Sequence, residues 1–345
     1  MGRGNSVSTA VRTEARALRG AGLVVALAVL VLTCLLSLWI GSRDIPFTDT
    51  LSVLLSDDGS VESLIIRDHR LPRTIIGVLV GASLGLAGAL MQSLTRNPLA
   101  DPGLLGVQFG ASAAVVVGIA FLGIGSITGY LWLGLLGAAA ASVVVYVLGA
   151  AGSGAASPDR LVLAGAAISA VLLAFVSAVL LLYPMSFMSF RFWNVGSIAG
   201  RQMDVVLRIA PVMLAGILLT LGLTRSLNIL ALGEETGSAL GANVGRIRLL
   251  GGIAVTLLCG AATAAAGPIG FIGLTVPHAA RALGGSDHRW VLPYSMVLAP
   301  ILLVGADILG RVIARPGEVE VGIVTAVLGA PVFIALVRRR KLAQL

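Results

Sequence analysis

The sequence predicts an all-α, polytopic membrane protein of about ten transmembrane helices, and three observations lead there. Hydrophobic residues make up 57% of the 345 and charged residues 12%, about half the charged share with which a soluble domain covers its surface. The apolar residues fall into runs of roughly 20, the length that crosses a bilayer as a helix. The 44 glycines lie largely inside those runs, where small residues let membrane helices approach closely.

In chain order the expected spans are 21–41, 75–95, 104–123, 128–150, 160–183, 206–223, 247–266, 270–283, 290–312 and 321–337. Arginines ahead of the first run have the look of a signal peptide, but Ala21–Ile40 is long enough to span and reads as a retained first helix. The second run carries Gly77, Gly81 and Gly85 at four-residue intervals with Gly88 close by, which gives it one smooth face. Before the short eighth run, Gly267-Pro268-Ile269-Gly270 marks either an external turn or a kink.

Orientation follows from basic residues. With the N-terminus inside, fifteen of the 24 lysines and arginines lie on inner segments, in line with the positive-inside rule. Residues 1–20 and 339–345 are then cytoplasmic tails around one membrane domain, 21–338. The nine outer arginines (Arg43, Arg67, Arg70, Arg73, Arg191, Arg201, Arg208, Arg311 and Arg315) leave a basic outer rim. The net charge of +8 does not indicate nucleic acid, because the arginines sit at span ends and form no stripe on a soluble face.

Two connections are long. Residues 42–74 form an outer one containing Asp57, Asp58, Glu62 and Asp68. The inner one, 224–246, has Leu230, Leu232 and Leu240 as an apolar side, Gly233 and Gly241 as turns, and Glu234 and Glu235 as a polar surface. That pattern predicts two short helices joined by a glycine along the inner face. Such an element suits either docking into a partner's groove or a solvated connector.

Groups able to carry chemistry are scarce. No Gly-x-x-x-x-Gly-Lys-Ser/Thr loop is present, so the chain does not cradle nucleotide phosphates by that route. His69, His278 and His288 lie far apart and show no metal-ligand spacing. Cys34 and Cys259 fall in apolar runs, which points to packing and not to a disulfide or metal site. Paired catalytic groups within the bilayer are missing, so the chain does not read as an enzyme. Asp307 is the one acid well inside a span, and Arg311 four residues on shares its helix face within ion-pair reach. The pair either pins helix packing or marks a functional site, and a proton- or ion-coupled carrier would show several such acids in series. Met185, Phe187, Met188, Phe190, Trp193 and Asn194 follow the fifth span. They read either as a soft surface for a bulky ligand or as an interfacial aromatic belt.

Four blocks in order carry a family resemblance. They are Arg70–Arg73 with Asn97–Leu105; the loop Leu230–Gly241; Gly267–Leu274 with Val276-Pro277-His278; and Gly322–Phe333. Together they resemble the FecCD-type permeases, large-fold (type II) importers of the ATP-binding-cassette (ABC) class that serve iron–siderophore, haem and cobalamin uptake. The resemblance covers about residues 65–340. It implies a ten-helix subunit that pairs with a second permease, the same or a paralogue, around one path in the cytoplasmic membrane. ATP and Mg²⁺ would be bound by a separate ATPase dimer, coupled through Leu230, Leu232, Gly233, Glu234, Glu235 and Gly241. An extracytoplasmic substrate-binding protein would dock on Arg70, Arg73 and Arg311. The path would include the 185–194 cluster, and Ser157-Pro158-Asp159 would help form the inner gate. Ferric siderophore is the expected cargo, with haem and cobalamin as alternatives.

Overall fold

The computed structural model describes residues 3–56, 59–150 and 158–338. Its helices are α1 (Arg3–Trp39), α2 (Phe47–Leu55), α3 (Val61–Leu64), α4 (Leu71–Thr95), α5 (Val107–Leu122), α6 (Ile127–Ala150), α7 (Pro158–Leu182) and α8 (Pro184–Asn194). After these come α9 (Met203–Gly222), α10 (Thr224–Leu230), α11 (Glu234–Ala239), α12 (Val244–Ala266), α13 (Ile272–Gly284), α14 (His288–Ile313) and α15 (Val321–Arg338). A π-helical turn, Ile65–Arg70, fuses α3 to α4, and a 3₁₀ turn, Pro102–Leu105, precedes α5. Among the described residues there is no strand.

The ten expected spans correspond to α1, α4, α5, α6, α7, α9, α12, α13, α14 and α15. Among the described residues seven helices are long and apolar enough to cross a membrane by themselves and α5 and α15 are shorter and apolar, while α13, the expected eighth span, has 13 residues and is neither. The chain is a multi-pass membrane protein. We call the side of the α1 N-terminus inner, after the arginine bias, and the opposite side outer.

One alternative is decided and two expectations change. The Gly267–Gly270 stretch is a turn, not a kink: α12 ends at Ala266 and Gly267 takes φ 75°, while its N–H closes on Thr263 O at 2.8 Å. Helix α1 already begins at Arg3, so most of the expected N-terminal tail is helical. The outer connection is also shorter than 42–74, because Val61–Thr95 runs as one helix and carries Arg70 and Arg73 inside it.

Helix α4 is the centre of the bundle. Its apolar stretch is 83% buried, more than in any other candidate span, and it packs on α14, α12, α13 and α9. The glycine face explains the closeness. A Cβ at Gly81 would meet Pro300 Cα at 2.6 Å, and one at Gly85 would meet Ser295 O at 2.5 Å, both on α14. At Gly88 it would lie 1.9 Å from Gly273 O of α13. Backbone therefore packs on backbone, and many weak dispersion contacts replace the hydrophobic drive that lipid does not supply. By contrast α1 and α7 bury only 22% and 17% of their apolar stretches. Their apolar residues face the bilayer or another chain.

Gly88→Ala is expected to destabilise the protein by about 1–3 kcal/mol through overpacking. Gly252→Ala, where a Cβ meets nothing within 4 Å, should be neutral or stabilising by the helix propensity of alanine. Thermal unfolding of the two variants in detergent checks this, and equal midpoints would contradict the packing role of the glycine face.

Candidate functional site

At the outer end, α1 stops at Trp39 and leaves carbonyls without helical partners, which a membrane protein must satisfy from elsewhere. Arginines from other helices supply the donors. Arg311 Nη1 donates to Ser37 O at 2.8 Å and Ile40 O at 3.1 Å. Arg70 Nη1 donates to Leu38 O at 3.0 Å and to Trp39 O, and its Nη2 donates to Arg43 O at 2.6 Å. Arg315 Nη2 donates to Gly41 O at 2.9 Å. Five successive carbonyls, 37 to 41, are thus capped by guanidinium groups, at the helix end where the macrodipole is negative. Gly41 is required for this: a Cβ there would lie 2.3 Å from Arg70 Nη2.

Asp307 holds the donors in place. Its Oδ1 accepts from Arg73 Nη2 at 2.7 Å, and its Oδ2 accepts from Arg311 Nε at 2.9 Å and also from Arg311 Nη2. Arg73 reaches on to Glu318 Oε2 at 2.7 Å. Asp307 and Arg311 are each 1% exposed. The expected ion pair is therefore part of a larger network, in which two arginines neutralise a single carboxylate. An acid so occupied is poorly placed to relay protons.

This geometry corrects the docking assignment. Arg70 and Arg311 are buried, and Arg73 is mostly covered by Asp307 and Glu318. None of the three presents its guanidinium to a partner at the surface. The other outer arginines are engaged within the chain as well. Arg43 pairs with Glu62, Arg208 with Asp204 and Arg315 with Asp44. Arg67 donates to Val53 O, Arg191 lies over the Phe192 ring, and Arg201 donates to Ser197 O. Hydrogen bonding at span ends accounts for Arg70, Arg73, Arg311 and Arg315, while Arg43, Arg191 and Arg208 stay exposed on the outer side.

The Met/aromatic cluster forms α8, a short helix between α7 and α9. The structure divides it: Phe190 and Trp193 are buried in the core, whereas Met185, Phe187, Met188 and Asn194 are exposed. Behind α8, Gly322 N donates to Gly196 O at 2.9 Å and Ser197 N to Ala266 O at 2.7 Å. The start of α15 and the α12–α13 turn are thereby tied to the segment after α8. Among the gate residues, Ser157 lies outside the described residues, Pro158 opens α7, and Asp159 is exposed in its first turn.

At the inner end, the 224–246 segment folds as the pattern predicts. Helices α10 and α11 are joined at Gly233, φ 107°, and Gly241, φ 83°, ends the second. Leu230 is buried and anchors α10, so it is not part of an outward surface. Leu232 and Leu240 are 61% and 62% exposed, and Glu235 is also exposed. Glu234 turns back to pair with Arg248 of α12.

A polar clamp, with no signal in the residue pattern, fixes α10 to the bundle. Asn228 Nδ2 donates to Asp287 Oδ1 at 2.7 Å, while its Oδ1 accepts from His288 N at 2.9 Å. The same oxygen lies 2.9 Å from His288 Nδ1, which therefore carries the ring proton. His288 Nε2 meets Ser93 Oγ of α4 at 2.6 Å. Burial raises the Asp287 carboxyl, but the bonds from Arg289 N and Asn228, with the nearby Arg289 charge, outweigh it and hold the group below its ordinary value. Next to this clamp, His278 Nε2 contacts Pro98 O at 2.9 Å and Arg281 donates to Gln92 Oε1. His278 thus closes the turn after α4, a helix-end role.

The chain belongs to the FecCD transport family, whose model matches residues 29–339. It is 49% identical over 315 residues to the ferric enterobactin transport system permease protein of Escherichia coli, covering 91% of this chain and 94% of that one. It is 44% identical over 316 residues to the Fe(3+)-citrate import system permease protein of Bacillus subtilis, covering 92% and 94%. A solved structure of a metal-chelate type ABC transporter in an inward-facing conformation matches with TM-score 0.81 at 29% identity, over 92% of this chain and 99% of that one.

Two outcomes test the clamps. Asp307→Leu leaves Arg311 buried without its carboxylate and Arg73 with Glu318 alone, and should cost about 3–5 kcal/mol, with no partner protein present. A wild-type melting point would show that the outer network is loose. Asn228→Ala leaves the backbone and ring N–H groups of His288 unpaired and Asp287 with its bond from Arg289 N, a loss of about 1–3 kcal/mol. Asn228→Asp should fall further, since it sets a second carboxylate against Asp287. Thermal unfolding that ranks the aspartate variant above the alanine one would contradict the assigned bonds.

Proposed function

We propose that this chain is a permease subunit of an ABC importer for ferric siderophore, driven by a separate ATPase and fed by a substrate-binding protein. The observation that carries the reading is the inner loop. Two short helices present Leu232, Glu235 and Leu240 outward, while Leu230, Asn228 and Glu234 fasten the same loop to the bundle. An apolar knob beside a carboxylate, held rigidly, is what a helix-in-groove contact with another protein requires. The ferric enterobactin and ferric citrate permeases among the relatives support iron chelates as the cargo class.

In this reading a second permease covers the apolar faces of α7 and α15, with exposed Met185, Phe187, Met188 and Asn194 of α8 beside the path. The chain sits in the cytoplasmic membrane with both termini inside, and residues 1–20 and 339–345 face the cytoplasm. Thioether and aromatic side chains make a polarizable, weakly selective wall, which lets a bulky chelate pass without being trapped. ATP and Mg²⁺ stay on the ATPase.

Glu235→Arg combined with Leu232→Asp is expected to leave the permease folded but to abolish ATPase co-purification and uptake of ferric siderophore into proteoliposomes. Glu234 is left intact because its pair with Arg248 is internal. Wild-type co-purification and uptake in the double variant would refute the coupling role. Wild-type protein that moves haem or cobalamin, and no ferric siderophore, would overturn the cargo.

A further inference from the structure

The inner half of the bundle contains a crevice that the transport reading does not use. It has a volume of about 340 Å³ and lies between α4, α6, α7 and α12. Its rim is Val143 and Val147 of α6 with Leu249 and Ile253 of α12, all exposed apolar residues on membrane-crossing helices. The opening is therefore continuous with the bilayer-facing surface. The walls are mainly aliphatic, and Thr256 turns its hydroxyl to Gly252 O of its own helix. Ser142 on the wall is buried, and its hydroxyl has no partner among the described residues.

Polar lining concentrates toward one end. Thr95 is the last residue of α4, Tyr146 lies one turn from the end of α6, and Arg248 lies near the start of α12. All three mark the inner side. Arg248 is the charged residue of the lining, and exposed Arg96, Arg160 and Arg246, with exposed Asp159, stand at the same inner ends of α4, α7 and α12. An apolar slot that opens to lipid, with an arginine in its wall and further arginines on the inner surface beyond it, has the polarity of one amphiphile, with a tail inside and a negative head at the inner surface.

We propose that this crevice is a binding site for one anionic phospholipid of the inner leaflet. An acyl chain lies between α6 and α12, the headgroup faces the inner surface that carries Arg96, Arg160 and Arg246, and a glycerol ester gives Ser142 its missing acceptor. Arg248 also holds Glu234 of α11, so the lipid lies directly behind the inner-loop helices. The inference needs only the membrane fold and is independent of the cargo.

Gly252 provides the test, because it lines the crevice and a side chain there meets no atom within 4 Å. Gly252→Leu should fill the slot while the fold is kept, which an unchanged melting point will verify. Full-length permease in detergent is exchanged into micelles doped with phosphatidylglycerol or phosphatidylcholine, and retained lipid is counted by native mass spectrometry. The wild type is expected to keep about one phosphatidylglycerol, favoured over phosphatidylcholine by about fivefold or more, the effect of one arginine near an anionic surface. Gly252→Leu should lose that lipid, and Arg96→Gln with Arg246→Gln should lose the headgroup preference. Equal retention in wild type and Gly252→Leu overturns the site. Equal retention of the two lipids by wild type overturns the anionic assignment.

Discussion

A helix that ends within reach of lipid must have its last carbonyls satisfied, and the outer half of this protein is arranged around that requirement. Carbonyls 37 to 41 of the first helix and its exit receive guanidinium groups from Arg70, Arg311 and Arg315. Those donors bring their own cost, because cations drawn from water need a counter-charge. Asp307 provides it for Arg311 and for Arg73, and Ser37 Oγ to Thr74 Oγ1 at 2.8 Å closes the contact between α1 and α4. Without the carboxylate the capping arginines would repel one another; without them the end of α1 would present bare carbonyls.

That arrangement also explains why the outer side carries more arginine than an orientation rule based on loop charge expects. The positive-inside rule concerns charges free in loops. Arg70 and Arg311 are not loop charges, since each is inside a helix and buried. Arginine suits the task better than lysine. Its planar fork reaches two or three carbonyls at once and keeps its charge when partly desolvated.

How far the sequence revealed this differs by level. Spans were legible because a bilayer imposes a length and a composition on every crossing. The glycine face of α4 was legible because a four-residue repeat of small residues has one structural use, although α14 and α13 as its neighbours were not. The inner loop was legible down to its two glycine turns, since left-handed backbone at Gly233 and Gly241 leaves a composition trace. Two features stayed hidden for one physical reason. The Arg70 cap joins residues about thirty positions apart, and the Asn228 clamp joins α10 to residues sixty positions on. Periodicity cannot show which far-apart polar groups will meet. An arginine before a span looks the same whether it snorkels, docks a partner or caps a neighbouring helix, and only burial separates the three.

The two ends of the molecule are linked through one helix. Near its outer end α4 carries Arg73 and Thr74, joined to α14 and α1, and near its inner end it carries Gln92 and Ser93, joined to α13 and His288. About 19 residues separate these contacts, roughly 28 Å of helix. Between them the glycine face sets α4 directly against the α14 backbone, where no side-chain layer exists to take up sliding. Because packed interfaces shift between discrete arrangements and do not deform gradually, α4 and α14 are built to move together. The Asn228 clamp thus fastens α10 to the inner end of α14, and the Asp307 network fastens the same helix to α1 and α4 19 residues further along.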